Sequence, residues 1–109
     1  MATFNIIEQR LYLKSIKKLS KKFKNISKDV DIFLDNIKTI DDLGVELKSN
    51  VYKVRIANSN KNRGKSSGYR LISYLKIVDN DLHLLYIYDK SLIENLTEKE
   101  IDNIILKQI

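Results

Sequence analysis

Cysteine, proline and tryptophan are absent from the 109 residues, and there are only three glycines and one histidine. Without cysteine there is no disulfide scaffold and no thiol nucleophile, and a single His leaves no zinc ligand set. No metal or other cofactor is therefore expected. The absence of Cys fits a cytoplasmic protein. No apolar run approaches the roughly 18–20 residues of a membrane span. The opening stretch, Met1 to Gln9, is too mixed for a signal peptide and lacks a basic n-region. The chain also lacks repeats, low-complexity stretches and Pro/Gly-rich linkers. The expectation is a cytoplasmic protein with no membrane partner, built as a single domain over residues 1–109.

Acidic residues are missing from one long stretch. Residues 49–78 hold seven Lys/Arg and no Asp or Glu. Residues 1–28 are similar, with eight Lys/Arg against one Glu. The intervening 29–48 and the closing 79–109 are net acidic, so the overall charge of +6 is the sum of alternating blocks. Segregated positive charge of this kind suits a polyanion or an acidic protein partner.

The hydrophobic pattern predicts the order strand, helix, helix, three strands, helix. Residues 3–7 read as a short strand. From Arg10 the apolar positions Tyr12, Ile16, Leu19, Phe23 and Ile26 fall 4, 3, 4 and 3 apart, one stripe of an α-helix with lysines off it. Val30, Phe33, Leu34 and Ile37 predict a second helix over about 28–38. Asp41, Asp42, Gly44 and Asn50 mark loops and turns. Val51 to Ala57 alternates as a strand. A polar loop spans Asn58 to Ser67, and Tyr69 to Val78 forms the next strand. Asp79-Asn80-Asp81 turns it into a hairpin with Leu82 to Tyr88. Thr97-Glu98-Lys99-Glu100 is a capping box that starts a last short helix. The fold class expected is α+β: an N-terminal helical hairpin packed on a small, twisted, mainly antiparallel sheet, with a short C-terminal helix.

Catalytic constellations of the usual kinds are missing. His83 lies among Leu82, Leu84 and Leu85 and reads as structural. The serines have no base motif beside them. Arg63-Gly64-Lys65-Ser66 lacks the upstream glycine of a phosphate-binding loop, since Ser59 stands there. What remains is a set of cations and phenols. Lys53 and Arg55 share a strand face, because side chains alternate with period two. Arg70, Tyr74 and Lys76 share a face of the next strand, and Tyr86, Tyr88 and Lys90 a face of the last. Arg63 and Lys65 lie in the loop between. Such a surface could hold an RNA backbone and stack bases on tyrosine. RNA supplies its own nucleophile in the 2′-OH, so cleavage needs only a base, cations for the phosphate and an acid for the leaving 5′-oxygen. Crowding by Arg55 and Arg70 would favour the neutral, basic form of Lys53. The plain alternative is a solvated sheet face.

Val51-Tyr52-Lys53-Val54-Arg55-Ile56-Ala57, followed by Arg63-Gly64-Lys65-Ser66-Ser67-Gly68-Tyr69-Arg70, resembles the RelE/HigB-like toxins of toxin–antitoxin systems. Tyr88-Asp89-Lys90 and Leu96-Thr97-Glu98-Lys99-Glu100 extend the resemblance over about residues 43–105. It points to the HigB-like branch. Two departures stand out: Lys-Ser-Ser-Gly replaces the commoner Lys-Ser-Gly-Gly, and no Tyr follows Tyr88. The resemblance implies a RelE-like fold and a metal-independent mRNA interferase, an endoribonuclease that cleaves translated mRNA on the 70S ribosome. It also implies a cognate antitoxin. Lys53, Arg55, Lys65, Arg70 and Lys90 are then the candidate catalytic set, and Arg63, Tyr74, Lys76 and Tyr88 the candidate RNA contacts. Two alternatives stay open: a gyrase-inhibiting toxin of the related ParE type, and a non-catalytic protein of the same fold that binds RNA or antitoxin.

Overall fold

A computed structural model describes residues 4–61, 68–93 and 95–108. In chain order the elements are β1 (Asn5–Glu8), α1 (Arg10–Ser20), α2 (Ile26–Asn36), β2 (Val45–Lys48), β3 (Val51–Ile56), β4 (Tyr69–Lys76), β5 (Asp81–Asp89) and α3 (Glu98–Lys107). The strands form one five-stranded sheet in the order β1-β5-β4-β3-β2. Strands β2 to β5 are joined antiparallel in sequence order. β1 lies parallel to β5, which makes the sheet mixed.

The first helix therefore follows a strand, and the chain does not open on a helical hairpin. The single stripe expected over 12–26 is also divided between elements. α1 ends at Ser20, and residues 21–25 turn before α2 begins. The turn brings Phe23 edge-on to Tyr69, with ring centroids 5.8 Å apart. Tyr12, Leu19, Phe23 and Ile26 are all buried in one cluster despite the break. β2 occupies a stretch expected to be loop. It is four residues long and enters β3 through a turn at Asn50, whose φ is +63°. Gly44, just before β2, has φ +98°, and a Cβ there would lie 2.0 Å from the Lys53 carbonyl oxygen. Only glycine fits that approach.

Each sheet face has its own cover. Tyr52, Ile56, Leu71, Leu75, Leu82, Leu84 and Ile87 pack with Tyr12, Leu19, Ile26 and Val30 of α1 and α2. On the opposite face Val51, Ile72, Leu85 and Tyr88 pack with Ile101 and Ile105 of α3. A bulge in β5 makes this division possible. Ile72 pairs with Tyr86 and Ser73 with Leu84, so Leu85 is the extra residue. Near it, the Ile87 N–H donates to the Ser15 hydroxyl of α1 at 3.2 Å. The last helix starts at the expected capping box: Glu100 N–H donates to Thr97 Oγ1 at 3.1 Å, and Thr97 N–H donates to Glu100 Oε1 at 3.0 Å.

Candidate active site

The α3 side of the sheet carries Lys53, Arg55, Arg70, Tyr74, Tyr86 and Tyr88, as strand parity predicts. Cross-strand register puts Arg55 opposite Arg70, and Arg70 opposite Tyr88. Lys90 follows the end of β5, where its N–H donates to Gly68 O at 3.4 Å. Lys53, Arg70, Tyr88 and Lys90 converge on one place, the first turn and a half of α3. A cleft of about 540 Å³ opens beside it, lined by Gly44, Val45, Leu47, Lys53, Val54, Arg55 and Glu98.

Two carboxylates of α3 occupy the centre of this cluster. Glu98 Oε1 lies 2.9 Å from Arg70 Nε and 3.3 Å from Lys53 Nζ, and Oε2 lies 3.5 Å from Lys90 Nζ. Asp102 Oδ2 lies 2.6 Å from Lys53 Nζ, and Oδ1 accepts from the Tyr88 hydroxyl at 3.2 Å. Lys53 thus sits between two acids, not in the purely cationic surroundings expected from its neighbours in sequence. Partial burial pushes the Glu98 carboxyl up. The hydrogen bond from Arg70 and the charges of Lys53 and Arg70 outweigh this and hold it at about 2. Burial, with the charges of Asp102 and Glu98, raises the Tyr88 phenol well above its ordinary value.

The cations differ in access. Arg70 is fully buried, with its Nη1 donating to Gly68 O and Tyr69 O at 3.2 and 3.3 Å. Lys90 is half exposed. Arg55 is exposed, and among the described residues it has no ion-pair partner. Tyr88 is buried and neighbours Tyr86, at 6.3 Å between ring centroids.

Two expected contacts lie elsewhere. Tyr74 stands farther along β4, beside His83 at 5.8 Å. Lys76 is at the end of β4, paired with Asp79 at 2.9 Å. Six residues of strand separate Lys76 from Arg70, about 20 Å. His83 is tied to the Gln9 side chain at 2.6 Å. Arg63 and Lys65 fall outside the described residues, but the residues on either side of their segment are anchored. Lys61 Nζ contacts the buried Asp89 carboxylate at 2.6 Å, and Asn58 Nδ2 donates to the same group at 3.0 Å. At the other end, a Cβ on Gly68 would lie 2.1 Å from Ile56 O, so the chain returns in close contact with β3.

Glu98 and Asp102 were not expected in the site. Their signal is in the spacing of Glu98, Ile101, Asp102 and Ile105, which share one helix face. Two of those residues bury as apolar contacts, so the acids on the same face must also turn toward the sheet. Among the described residues no group of acids and histidines could hold a metal ion, and no helix is long and apolar enough to cross a membrane.

No family model and no curated protein matches the sequence. Solved structures do match. An arginine-substituted E. coli RelE toxin in the free state superposes with a TM-score of 0.59 at 18% identity, covering 100% of this chain and 99% of the other. The isolated E. coli RelE toxin gives 0.53 at 15% identity, with 98% and 100% covered. The toxin–antitoxin complex RelBE of E. coli gives 0.52 at 18% identity, with 80% and 96% covered. Over its whole length, the chain has the RelE-like toxin fold.

Proposed function

We propose that the protein is the toxin of a toxin–antitoxin module, and that it cleaves translated mRNA on the 70S ribosome without a metal. The observation that carries this reading is the convergence of Lys53, Arg70, Lys90 and Tyr88 on one end of a RelE-like sheet, with Arg55 beside them. A phosphodiester needs that set of donors, and bidentate guanidinium contact suits it well.

In the reaction a base removes the proton of a ribose 2′-OH, and the 2′-oxygen attacks the adjacent phosphorus. The P–O5′ bond breaks, and an acid protonates O5′. The products are a 2′,3′-cyclic phosphate and a 5′-hydroxyl. Arg70 holds the scissile phosphate and its developing charge. Lys53, Arg55 or Lys65 serves as base or phosphate contact, and Lys90, at the exposed rim, supplies the proton. Tyr88 stacks a base. Arg63 is a further RNA contact, and Tyr74 and Lys76, farther along β4, meet RNA only where it runs on past the site. The HigB-like branch rests on residues 63–70, most of which lie outside the described set. The antitoxin is a separate partner, as in the RelBE complex of similar fold. The cytoplasm is the compartment where ribosomes and mRNA are met.

A second reading is supported by the two carboxylates at Lys53: a protein that binds RNA or antitoxin without cutting. Induced expression decides between them. Growth arrest, with new 5′ ends inside translated transcripts by primer extension, is the expected result. Exchange of the exposed Arg55 and Lys90 for Ala together should remove the cuts without unfolding the protein. Ribosome binding with intact transcripts would replace the nuclease by the binder. Loss of DNA supercoiling by purified gyrase, again with intact mRNA, would replace it by a ParE-like toxin.

A further inference from the structure

The groups read above as the RNA site are already in contact with anions. Lys53, Arg70 and Lys90 all meet Glu98, and Lys53 and Tyr88 also meet Asp102. A carboxylate and a phosphodiester draw on the same donors: N–H groups of Arg and Lys and a phenolic O–H. They cannot share them at contact distance, because two anions would then meet in a partly desolvated pocket. Tyr88, moreover, is buried beneath α3 and offers no free ring face.

The attachment of α3 is suited to release. Its apolar hold on the sheet is made by Ile101 and Ile105, with Leu106 partly buried, while Ile104 on its outer side is exposed. The other half of its hold is ionic. A helix held by two isoleucines and an ion-pair cluster belongs to the less stable part of a fold, where local opening is easiest.

We propose that Glu98 and Asp102 are an internal stand-in for phosphate: α3 closes the basic site in the free protein, and an RNA phosphodiester binds by displacing these carboxylates from Lys53 and Arg70. That the displacing anion is RNA rests on the nuclease reading above. The competition itself follows from the geometry of α3. The same displacement uncovers Tyr88 for stacking, so phosphate binding and base binding become one event. The connection between β5 and α3, whose described residues hold one short 3₁₀ turn at Lys90–Leu92, is the pivot.

The test uses a 2′-O-methyl RNA oligonucleotide, which cannot be cut, and the full chain. Fluorescence anisotropy should show about tenfold tighter binding by Glu98→Gln, since one full charge leaves the contact shell of the phosphate. Asp102→Asn should also tighten binding, and the double variant more than either. Circular dichroism checks that the variants are folded. Hydrogen exchange on the unaltered protein gives a second readout that needs no variant: amides of α3 should exchange faster when RNA is bound. Unchanged or weaker binding by the variants, or unchanged or slower exchange in α3, overturns the proposal. So does a failure of the double variant to bind RNA at all. The two readings can fail separately. Variants that bind tightly but cut no mRNA would remove the nuclease and leave the masking. An unaltered protein that cuts mRNA while its variants bind no better would do the reverse.

Discussion

Acidification should expose the hold on Glu98 as a loss of stability. Its carboxyl, ordinarily at 4.5, is held at about 2 in the folded protein, where partial burial is outweighed by Arg70 and Lys53. A lowered folded value means that the unfolded chain binds the proton more readily. The stabilisation is therefore complete above about pH 4.5 and is lost as pH falls through about 2. The difference between those two values corresponds to about 3 kcal/mol, and solvent screening of a partly exposed group brings it to roughly 2 kcal/mol. Glu98→Gln cannot show this dependence. Near neutral pH the unaltered protein should exceed the variant by roughly 2 kcal/mol, or about 8 °C in Tm for a domain of this size. The gap should close between pH 4.5 and 2. Paired thermal or urea melts across that range measure it directly, because other acids with lowered values, such as Asp89 and Asp42, are common to both proteins and cancel. A gap that is constant with pH, or absent at pH 6, would refute the assignment of Glu98 as the shared partner of Lys53 and Arg70.

At the alkaline end, Tyr12, Tyr69 and Tyr88 are all pushed above their ordinary 10.0, with burial the largest cause. Unfolding releases those phenols to ionise, so stability should decline as pH rises past about 10, and phenolate absorbance should appear together with loss of ellipticity. Gly68→Ala places a methyl 2.1 Å from Ile56 O; the backbone must move, and a loss of about 1–3 kcal/mol in urea melts is expected, with reduced mRNA cleavage because Gly68 O also receives Arg70 and Lys90. Asp89→Ala removes the buried carboxylate that Lys61, Asn58 and Ser91 share; the expected cost is about 3–5 kcal/mol, and a melt within 1 kcal/mol of the unaltered protein would contradict it.

The sequence was most legible where a pattern runs long enough to decide its own period. β3 alternates over six residues, β4 and β5 are apolar runs of eight and nine residues on either side of the Asp79-Asn80-Asp81 turn, and α3 is announced by Thr97 and Glu100. β2 was not legible: four residues between turn formers give too few alternations, and its pairing with β3 is what makes Val45–Lys48 a strand. The break after α1 was hidden for a different reason. Phe23 and Ile26 reach the same core as Tyr12 and Leu19 whether or not the helix continues, so the stripe survives the turn. For the site, the cations of β3 and β4 were visible because parity alone puts them on one face. Arg70 was expected to be accessible; its burial comes from α3, which packs over the sheet from nearly thirty residues downstream. Local charge counting, which found 49–78 free of acids, cannot see a partner that arrives by tertiary packing.

The extra residue at Leu85 has a consequence for how this strand tolerates change. Along β5, even positions face α1 and α2 up to Leu84, and odd positions do so from Ile87 on. The strand switches phase once, at a single residue. Deleting either Leu85 or Tyr86 would restore unbroken alternation and leave both ends of the strand facing as they do now. Ile87 would stay on the oily side beneath α1, and Tyr88 on the ionic side beneath α3. The bulge can therefore absorb the loss of one residue, whereas a one-residue deletion in the regular part of the strand would rewrite which half of the molecule its far end belongs to.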